Sequence, residues 1–195
     1  MFSSFLLHDE LLDAIKKMGL KQPTEVQQAT IPAALDYKDL LVSAKTGSGK
    51  TVTFLIPLIQ HLLDDAENSS EISHVPGNIR ALILVPTREL ARQINKQCLR
   101  LTEFTDLKTT TIFGGEDPKH QLKRLQELPD IVIATPGRLI EHMNRETVDL
   151  SYIEVLVLDE ADRMLSMGFS DEVMEIAAYC NPDRQTLLFL SLIHI

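Results

Sequence analysis

The chain has 195 residues, of which 44% are hydrophobic and 24% charged, an ordinary composition for one globular domain. It contains no run near the ~18–20 apolar residues of a membrane span, and its first residues lack the basic-then-apolar pattern of a signal peptide. The formal net charge of -9 argues against a surface that holds nucleic acid by diffuse charge alone. The two cysteines lack metal-ligand or redox spacing, so we expect a cytoplasmic protein.

Short apolar runs alternate along the chain with longer helix-like stretches. Residues 1–30 predict a helical segment that precedes the first strand. Strands are predicted over Leu40–Ala44, Ala81–Val85, Thr109–Phe113, Asp130–Ala134, Glu154–Leu158 and Thr186–Leu190, and crossover helices over Lys50–Leu63, Arg88–Leu101, Pro118–Glu127 and Gly137–Asn144. Because several strands do not alternate with polar residues, they indicate a parallel sheet covered on both faces. Residues 31–195 therefore predict a doubly wound α/β fold, with the polar segment Asp64–Asn78 as a mobile surface loop.

The segment between the first predicted strand and the first predicted helix is rich in glycine. It consists of Ala44, Lys45, Thr46, Gly47, Ser48, Gly49, Lys50 and Thr51. Glycines let the backbone curl so that N–H groups point at phosphate oxygens, and the helix N-terminus adds its positive end. Lys50 can then reach the β- and γ-phosphates of a nucleoside triphosphate, and the Thr51 hydroxyl can ligate Mg²⁺. Ala44 replaces the first glycine of the general pattern, and the alternative is a glycine-rich turn with an incidental lysine.

An acidic segment follows the fifth predicted strand. The apolar run 155–158 leads directly into Asp159-Glu160-Ala161-Asp162. Carboxylates at the carboxyl end of a buried strand stand where α/β sheets bind ligands. Asp159 can hold Mg²⁺ through its water shell, and Glu160 can orient and deprotonate the water that attacks the γ-phosphate. The alternative is a solvated helix start, since Asp and Glu favour N-terminal turns.

A third segment, Gly19–Gln27, lies upstream of the glycine-rich loop. The Gln27 amide can donate and accept together, so it can recognise the edge of an adenine, and the Phe2 ring could lie against the base. Two alternatives stay open. Thr24 and Gln27 also have the spacing of a capping box, and Phe2 could be a core residue beside Phe5.

These segments together resemble the DEAD-box family of superfamily 2 RNA helicases. Further segments match the family's motif Ia, its GG element and its motif Ib, and they contain Pro86, Thr87, Arg88, Gly114, Gly115, Thr135, Pro136, Gly137 and Arg138. The stretch 163–169 and the closing 185–189 are similar to bacterial members of the SrmB ribosome-assembly type. Without the resemblance, Thr87 and Thr135 would be interpreted as helix N-caps.

The resemblance implies a RecA-like P-loop NTPase domain that uses ATP and Mg²⁺ and binds RNA through its sugar-phosphate backbone. It implies that Gln27, Phe2 and the backbone of Lys21 contact adenine, and that the Ia, GG and Ib segments contact RNA. It also implies that Asp162 couples the acidic segment to other motifs. The SrmB-type likeness implies ribosomal precursor particles as a partner, and we expect a monomer that has no membrane association.

The chain departs from the family after Phe189. Motif III, Ser-Ala-Thr in the family, is replaced by Leu190–Ile195, and a second RecA-like domain with its arginine finger is absent. A frameshift, a truncation and a genuine variant tail would each explain this ending. We therefore expect that residues 1–195 alone do not unwind RNA. A catalytically idle RNA- or protein-binding remnant and a P-loop NTPase unrelated to nucleic acid are the competing interpretations.

Overall fold

The computed structural model of the chain describes residues 1–45, 47–68 and 78–191. A 3-10 helix over Phe2–Phe5 comes first, and the α-helices are α1 Asp9–Lys17, α2 Glu25–Leu35, α3 Lys50–Asn68, α4 Arg88–Leu101, α5 Pro118–Leu125, α6 Pro136–Asn144, α7 Ala161–Ser166 and α8 Ser170–Tyr179. The strands are β1 Leu40–Ala44, β2 Ala81–Leu84, β3 Thr109–Ile112, β4 Ile131–Ala134, β5 Val155–Leu158 and β6 Gln185–Ser191. All predicted strands are confirmed, and their ends differ by at most about one residue from the predicted ones.

The strands of the described residues form one parallel sheet in the order β1-β6-β5-β2-β4-β3. The three strands β2, β4 and β5 lie inside this order and are buried along their whole length. Their unbroken apolar sequences follow from that position, because helices cover both faces. The strands at the two sheet edges, β1 and β3, alternate between more and less exposed residues.

Two hydrophobic clusters lie on opposite faces of the sheet. Alternate residues of a strand join different clusters: Ile83 and Val157 pack with α1 to α4, whereas Leu82 and Leu156 pack with α5 to α8. Because successive side chains of a strand point to opposite faces, this division places helices on both sides. The doubly wound α/β fold predicted from the sequence is confirmed.

The first crossover helix is longer than predicted. The sequence placed its end at Leu63 and a loop over Asp64–Asn78, but α3 continues to Asn68. Asp64 accepts a hydrogen bond from Gln60 Nε2 at 2.8 Å, one helical turn earlier, and its carboxylate also lies 2.8 Å from His8 Nε2. These contacts stabilise an extra turn in a polar segment that composition alone assigns to a loop. Residues 69–77 of the predicted loop lie outside the described residues.

Residues 1–30 contain the 3-10 helix, α1 and the start of α2. Helix α2 runs to Leu35, so the predicted boundary between residues 30 and 31 falls inside a helix. Leu11 and Ile31 are fully buried in the cluster that contains α3 and α4. The segment therefore belongs to the hydrophobic core of the same domain.

Two expectations about the chain's chemistry concern its cysteines and its helices. Cys98 and Cys180 are buried, and burial raises the pKa of their thiols to about 12 and about 11, as expected for small apolar residues. In the described ranges, no helix combines the length and apolar character needed to cross a membrane.

Thr87 and Thr135 occupy the same position at the start of their helices but differ in hydrogen bonding. Thr87 Oγ1 accepts a hydrogen bond from Leu90 N at 3.2 Å, as the N-cap interpretation predicts. Thr135 precedes α6 in an extended conformation, but its side chain makes no capping hydrogen bond. Pro136 occupies the first turn of that helix, where a missing N–H costs nothing. Thr135 therefore occupies the predicted N-cap position, but the prediction that its side chain forms a capping hydrogen bond is wrong.

This difference predicts unequal effects of the same substitution. Thr87→Ala should lower the free energy of unfolding by about 1 kcal/mol, because the first turn of α4 loses an acceptor. Thr135→Ala should change it by less than about 0.5 kcal/mol. Urea unfolding followed by circular dichroism measures both variants against the unmutated chain. Equal losses would contradict the assignment of a cap to Thr87 alone.

Candidate functional site

Apart from Gly19–Gln27, which lies between α1 and α2, the segments singled out in the sequence follow the carboxyl ends of strands. Because every pairing is parallel, these ends lie along one edge of the sheet. The glycine-rich loop follows β1 and the acidic segment follows β5, with β6 between them. The segments that resemble motifs Ia, Ib and GG follow β2, β4 and β3, which form the other half of the order. The edge is thus divided into two adjoining regions.

The glycine-rich loop has the predicted strand-loop-helix context. It leaves β1 at Ala44, and α3 begins at Lys50. Gly47 and Gly49 have φ angles of 80° and 90°, in the left-handed region that favours glycine. A Cβ at Gly49 would also lie 2.5 Å from Gln27 Nε2, so this position needs glycine for space as well. Thr46 lies outside the described residues.

Polar groups of the loop converge beside the end of β6. Lys50 is buried, and its Nζ donates a hydrogen bond to Leu190 O at 3.3 Å. Within the described ranges, Ser48 Oγ is buried and has no hydrogen-bond partner. Lys45 is exposed, and Thr51 is half-buried one residue after Lys50. A buried lysine and an unsatisfied hydroxyl in a positive-φ loop are groups to which an anion could bind.

Asp159 lies at the end of β5 and is 4% exposed. Its Oδ1 accepts a hydrogen bond from Glu160 N at 2.9 Å. Burial raises the pKa of this carboxyl to about 6, although the hydrogen bond from Glu160 and the charge of Lys50 oppose the rise. A cation beside Asp159 would relieve this cost, because it would favour the charged form.

Glu160 has an unusual backbone conformation. Its φ and ψ are 49° and 47°, in the left-handed region that a residue with a Cβ adopts at a cost of about 1–2 kcal/mol. The residue stands at the N-cap of α7, as the helix-start alternative predicts, but its side chain caps nothing. Its carboxylate instead lies 3.2 Å from Arg163 Nη1. The Glu160 side chain therefore forms an ion pair with Arg163 on α7 and does not cap the helix.

Asp162 joins the acidic segment to β6. Its Oδ1 accepts a hydrogen bond from Ser191 N at 3.1 Å, at the last residue of the strand. Since Lys50 contacts Leu190, two neighbouring residues of β6 connect the glycine-rich loop to the acidic segment. This strand end holds the position at which the sequence departs from motif III, and residues 192–195 lie outside the described residues.

The segment Gly19–Gln27 contacts the glycine-rich loop directly. The capping box is present: Gln27 Oε1 accepts from Thr24 N at 2.8 Å, and Thr24 Oγ1 accepts from Gln27 N. The same two side chains reach the loop, where Thr24 Oγ1 donates to Ser48 O at 2.9 Å and Gln27 Nε2 donates to Gly49 O at 3.2 Å. The capping alternative is therefore confirmed, and Gln27 is also 3% exposed beside the loop.

Phe2 and Lys21, the other residues predicted to contact adenine, differ in exposure. Phe2 is 4% exposed and packs edge-to-face against Phe5 with 6.1 Å between ring centroids, in agreement with the core alternative. Lys21 is exposed in the connection between α1 and α2. Stacking of Phe2 on a base and contact through the Lys21 backbone stay predictions.

Arg88 and Gly115 lie side by side in the second region of the edge. A Cβ added at Gly115 would lie 2.9 Å from Arg88 Nη1, and the Gly115 φ of 82° also favours glycine. The Arg88 side chain is 54% exposed and pairs with Glu89 at 2.8 Å. The structure thus brings the Ia and GG segments together and leaves the guanidinium accessible.

Arg138 is far less accessible than Arg88. Its side chain is 13% exposed, its Nη1 donates to Glu116 O at 2.9 Å, and its Nε lies 2.9 Å from Glu141 Oε2. Pro136 is buried beside it, whereas Gly137 is exposed. The Arg138 guanidinium is therefore mostly occupied by protein groups, and the backbone at Gly137 is the open part of this segment.

Sequence reasoning missed a polar network behind these segments. Glu116 accepts two hydrogen bonds from Arg124, at 2.9 and 2.7 Å, and this partner lowers the pKa of the Glu116 carboxyl to about 2. Gln121 and His142 are buried and contact each other at 3.2 Å. The opposite charges at 116 and 124 are a weak signal of pairing, but no pattern in the sequence connects residue 121 to residue 142.

Known proteins share both the sequence and this arrangement. The DEAD/DEAH box helicase family model matches residues 24–191. ATP-dependent RNA helicase SrmB of Haemophilus influenzae is 45% identical over 188 residues, which are 96% of this chain and 42% of the relative. CshA of Listeria monocytogenes, also named an ATP-dependent RNA helicase, is 41% identical over the same share of this chain and 34% of its own. The crystal structure of a DEAD box protein from Methanococcus jannaschii superposes with a TM-score of 0.84 at 39% identity, covering 96% of this chain and 49% of that one. These matches confirm the resemblance, and the chain spans less than half of each relative.

The raised pKa of Asp159 predicts a pH-dependent stability. The folded-state pKa of about 6 exceeds the usual value of 3.8, so the folded chain binds more protons between these pH values. Stability from this group is therefore present below pH ~4 and is lost as the pH rises through about 6. Asp159→Asn should raise the free energy of unfolding by about 1–3 kcal/mol at pH 7 in buffer without divalent cations, and by little at pH 4. Urea unfolding of both proteins across this pH range tests the prediction. A gain in the free energy of unfolding that does not depend on pH would contradict the raised pKa of Asp159.

Proposed function

Because the chain belongs to the DEAD/DEAH box helicase family, we propose that it is the ATP- and RNA-binding N-terminal RecA-like domain of an ATP-dependent RNA helicase. In this proposal the segment over residues 1–30 recognises adenine and packs as part of the first domain, which extends to motif III. The supporting observation is the meeting of Lys50 and Asp162 at neighbouring residues of β6, between the phosphate-loop strand and the acidic strand. The whole enzyme would couple ATP hydrolysis to local duplex unwinding or to remodelling of RNA–protein particles.

The nucleotide phosphates would bind in the loop from Ala44 to Thr51. Its positive-φ glycines and the start of α3 supply N–H groups, and the Lys50 ammonium supplies the positive charge. Lys50 now donates to Leu190 O, at 3.3 Å, which is a weak bond that phosphate oxygens would replace. Ser48 Oγ, buried and unsatisfied among the described residues, would gain an acceptor.

The residues at this site fit a magnesium ion. No group of three or more acidic, histidine or cysteine residues that could hold a metal occurs in the described part of the chain. Mg²⁺ usually keeps several waters and binds one or two protein oxygens together with phosphates, so Thr51 and Asp159 suffice. When bound, Mg²⁺ neutralises phosphate charge.

Glu160 would act as the general base toward the attacking water. Its backbone has a left-handed conformation and its carboxylate makes no capping bond, and its ion-pair partner Arg163 on α7 is half exposed. Asp162 would couple this segment to β6 through the contact with Ser191 N. The strain at Glu160 fits a catalytic role, because strained residues cluster at sites whose geometry is fixed by function.

RNA would bind at the second region of the edge, through the segments containing Pro86, Thr87, Arg88, Gly114, Gly115, Thr135, Pro136, Gly137 and Arg138. Gly114 and Gly137 are exposed, and a Cβ at either would meet no neighbour within 4 Å, so a phosphate can approach the backbone there. Arg88 supplies an accessible charge, whereas Arg138 supports the loop. Contacts of this kind favour no base sequence.

The remaining assignments are finer parts of the same proposal. The likeness of residues 163–169 and 185–189 to SrmB-type helicases supports ribosomal precursor particles as a partner. A monomer in the cytoplasm is a separate part of the proposal. A catalytically idle RNA- or protein-binding remnant is the alternative, favoured by the absence of motif III from the sequence at 190–192. ATP hydrolysis by the chain separates the two.

Lys50→Ala and Glu160→Gln should separate phosphate binding from hydrolysis. Lys50→Ala removes ground-state charge and should weaken ATP binding by at least ~10-fold, whereas Glu160→Gln should bind ATP normally and lose at least ~100-fold in hydrolysis. Calorimetry on the chain measures binding, whereas single-turnover hydrolysis of labelled ATP is measured in a protein that carries both RecA-like domains, because the resemblance assigns the arginine finger to the second one. Lys38→Ala, at an exposed lysine before β1, is the matched control. Hydrolysis by Glu160→Gln at the unmutated rate would disprove the general-base role.

Adenine selection by Gln27 can be tested without losing the capping box. The unmutated chain should bind ADP about 5- to 100-fold more tightly than GDP, because an adenine edge pairs with the amide. Gln27→Glu keeps the acceptor for Thr24 N but loses the amide donor, including its bond to Gly49 O, so the ratio of the ADP and GDP affinities, and not the ADP affinity alone, is the measure that should fall. Calorimetry with both nucleotides decides the question. Equal affinity of the unmutated chain for ADP and GDP would exclude the adenine role.

A further inference from the structure

Gln121 connects the two sides of the glycine pair Gly114-Gly115. The residue lies on α5 and is fully buried. Its Nε2 donates to Phe113 O at 2.6 Å, just before the pair, and to Glu116 Oε2 at 3.0 Å, just after it. One side chain thus fixes the width of the turn that contains both glycines.

Hydrogen-bond counting determines how Gln121 contacts α6. Both amide N–H groups are engaged with oxygen acceptors, and a flipped amide would place its oxygen against those acceptors, so the orientation is settled. Gln121 Oε1 must then accept from His142 Nε2, 3.2 Å away. Burial, with the charges of Arg138 and Arg145, lowers the pKa of His142 and keeps the ring neutral. With Nε2 as the donor, Nδ1 accepts the single hydrogen of Thr147 Oγ1 at 2.8 Å, which this hydroxyl could otherwise donate to His142 O at 3.0 Å.

His142 and Arg138 lie one turn apart on the same side of α6, and both reach the glycine turn. Arg138 Nη1 donates to Glu116 O at 2.9 Å, and His142 acts through Gln121. The helix begins at Pro136, directly after Thr135, so its N-terminal residues are those of the Ib segment. Two separate contacts thus hold the GG and Ib segments at a fixed spacing.

We propose that Gln121 and His142 are positioning residues for RNA binding: they hold the backbone of Gly114-Gly115 and of Gly137 at the spacing that one RNA strand requires. This inference rests on the proposed function. Neither side chain can touch RNA, because Gln121 is 0% and His142 2% exposed. Their effect arises because groups held in place before binding lose less conformational freedom when phosphates bind.

A purely structural role predicts a different pattern of effects. Loss of packing would destabilise the domain and weaken nucleotide and RNA binding together. Loss of positioning would weaken RNA binding alone, because the nucleotide region follows β1, β6 and β5 on the other half of the edge. Glutamine at position 142 restores a donor toward Gln121, whereas leucine does not.

Fluorescence anisotropy with a labelled oligouridylate at low salt, together with calorimetry of ADP binding, tests the inference on the full chain. Gln121→Leu and His142→Leu should raise the Kd for RNA by about 5- to 20-fold, and His142→Gln by less than ~2-fold, with the Kd for ADP unchanged in all three. Gln126→Leu, at an exposed glutamine that ends α5, is the matched control and should leave both constants unchanged.

The outcomes separate the inference from the proposed function. No RNA binding by the unmutated chain would overturn the proposed function and the inference with it. RNA binding that survives Gln121→Leu and His142→Leu, or that falls together with ADP affinity, would overturn the inference alone. If thermal melting shows that Gln121→Leu does not fold, the comparison of His142→Gln with His142→Leu decides, since the two side chains are similar in volume and only glutamine can donate to Gln121.

Discussion

The parallel direction of every strand pairing is the constraint on which the site depends. A parallel pair needs a crossover connection, so each described strand enters from the same side and ends at the same edge. The polar segments therefore meet at that edge although they are far apart in sequence. The order matters as much as the direction, because β6 lies between β1 and β5. Its last residues can contact Lys50 from one side and Asp162 from the other.

Charge is distributed unevenly along this edge. The chain carries a net charge of -9, but two carboxylates near the site have different surroundings, which set their charge differently. Glu116 is neutralised by the bidentate contact with Arg124, which keeps a negative group beside the glycine turn from repelling phosphate. Asp159 is instead buried without an ion pair of comparable strength, and its pKa rises to about 6. The Glu116 carboxylate is thus occupied by an ion pair, whereas the Asp159 carboxylate could pair with a cation.

The fold was largely predictable from the sequence, because its strongest signals are local. Runs such as 81–84 and 155–158 are apolar at every position since both faces are covered, and the Gly47 and Gly49 loop needs only a strand before it and a helix after it. Features that depend on tertiary contacts were not predictable. The burial of Arg138, the bond between Gln121 and His142 and the last turn of α3 each need a partner brought close only by the fold. The prediction of a capping hydrogen bond at Thr135 was wrong for a related reason. Residue propensity predicts which residue occupies the N-cap position, but not whether its side chain forms the hydrogen bond.

Gln27 illustrates why two interpretations of one residue need not compete. A glutamine amide has two donor hydrogens and two acceptor lone pairs. Among the described residues, Oε1 uses one lone pair for Thr24 N, and Nε2 uses one hydrogen for Gly49 O. One donor and one acceptor are left, which is the pair that an adenine edge requires. The contacts already made would then orient the amide and join any base that binds it to the backbone of the phosphate loop. Capping and the proposed adenine recognition can thus belong to the same side chain, and the capping box would give that recognition its rigidity.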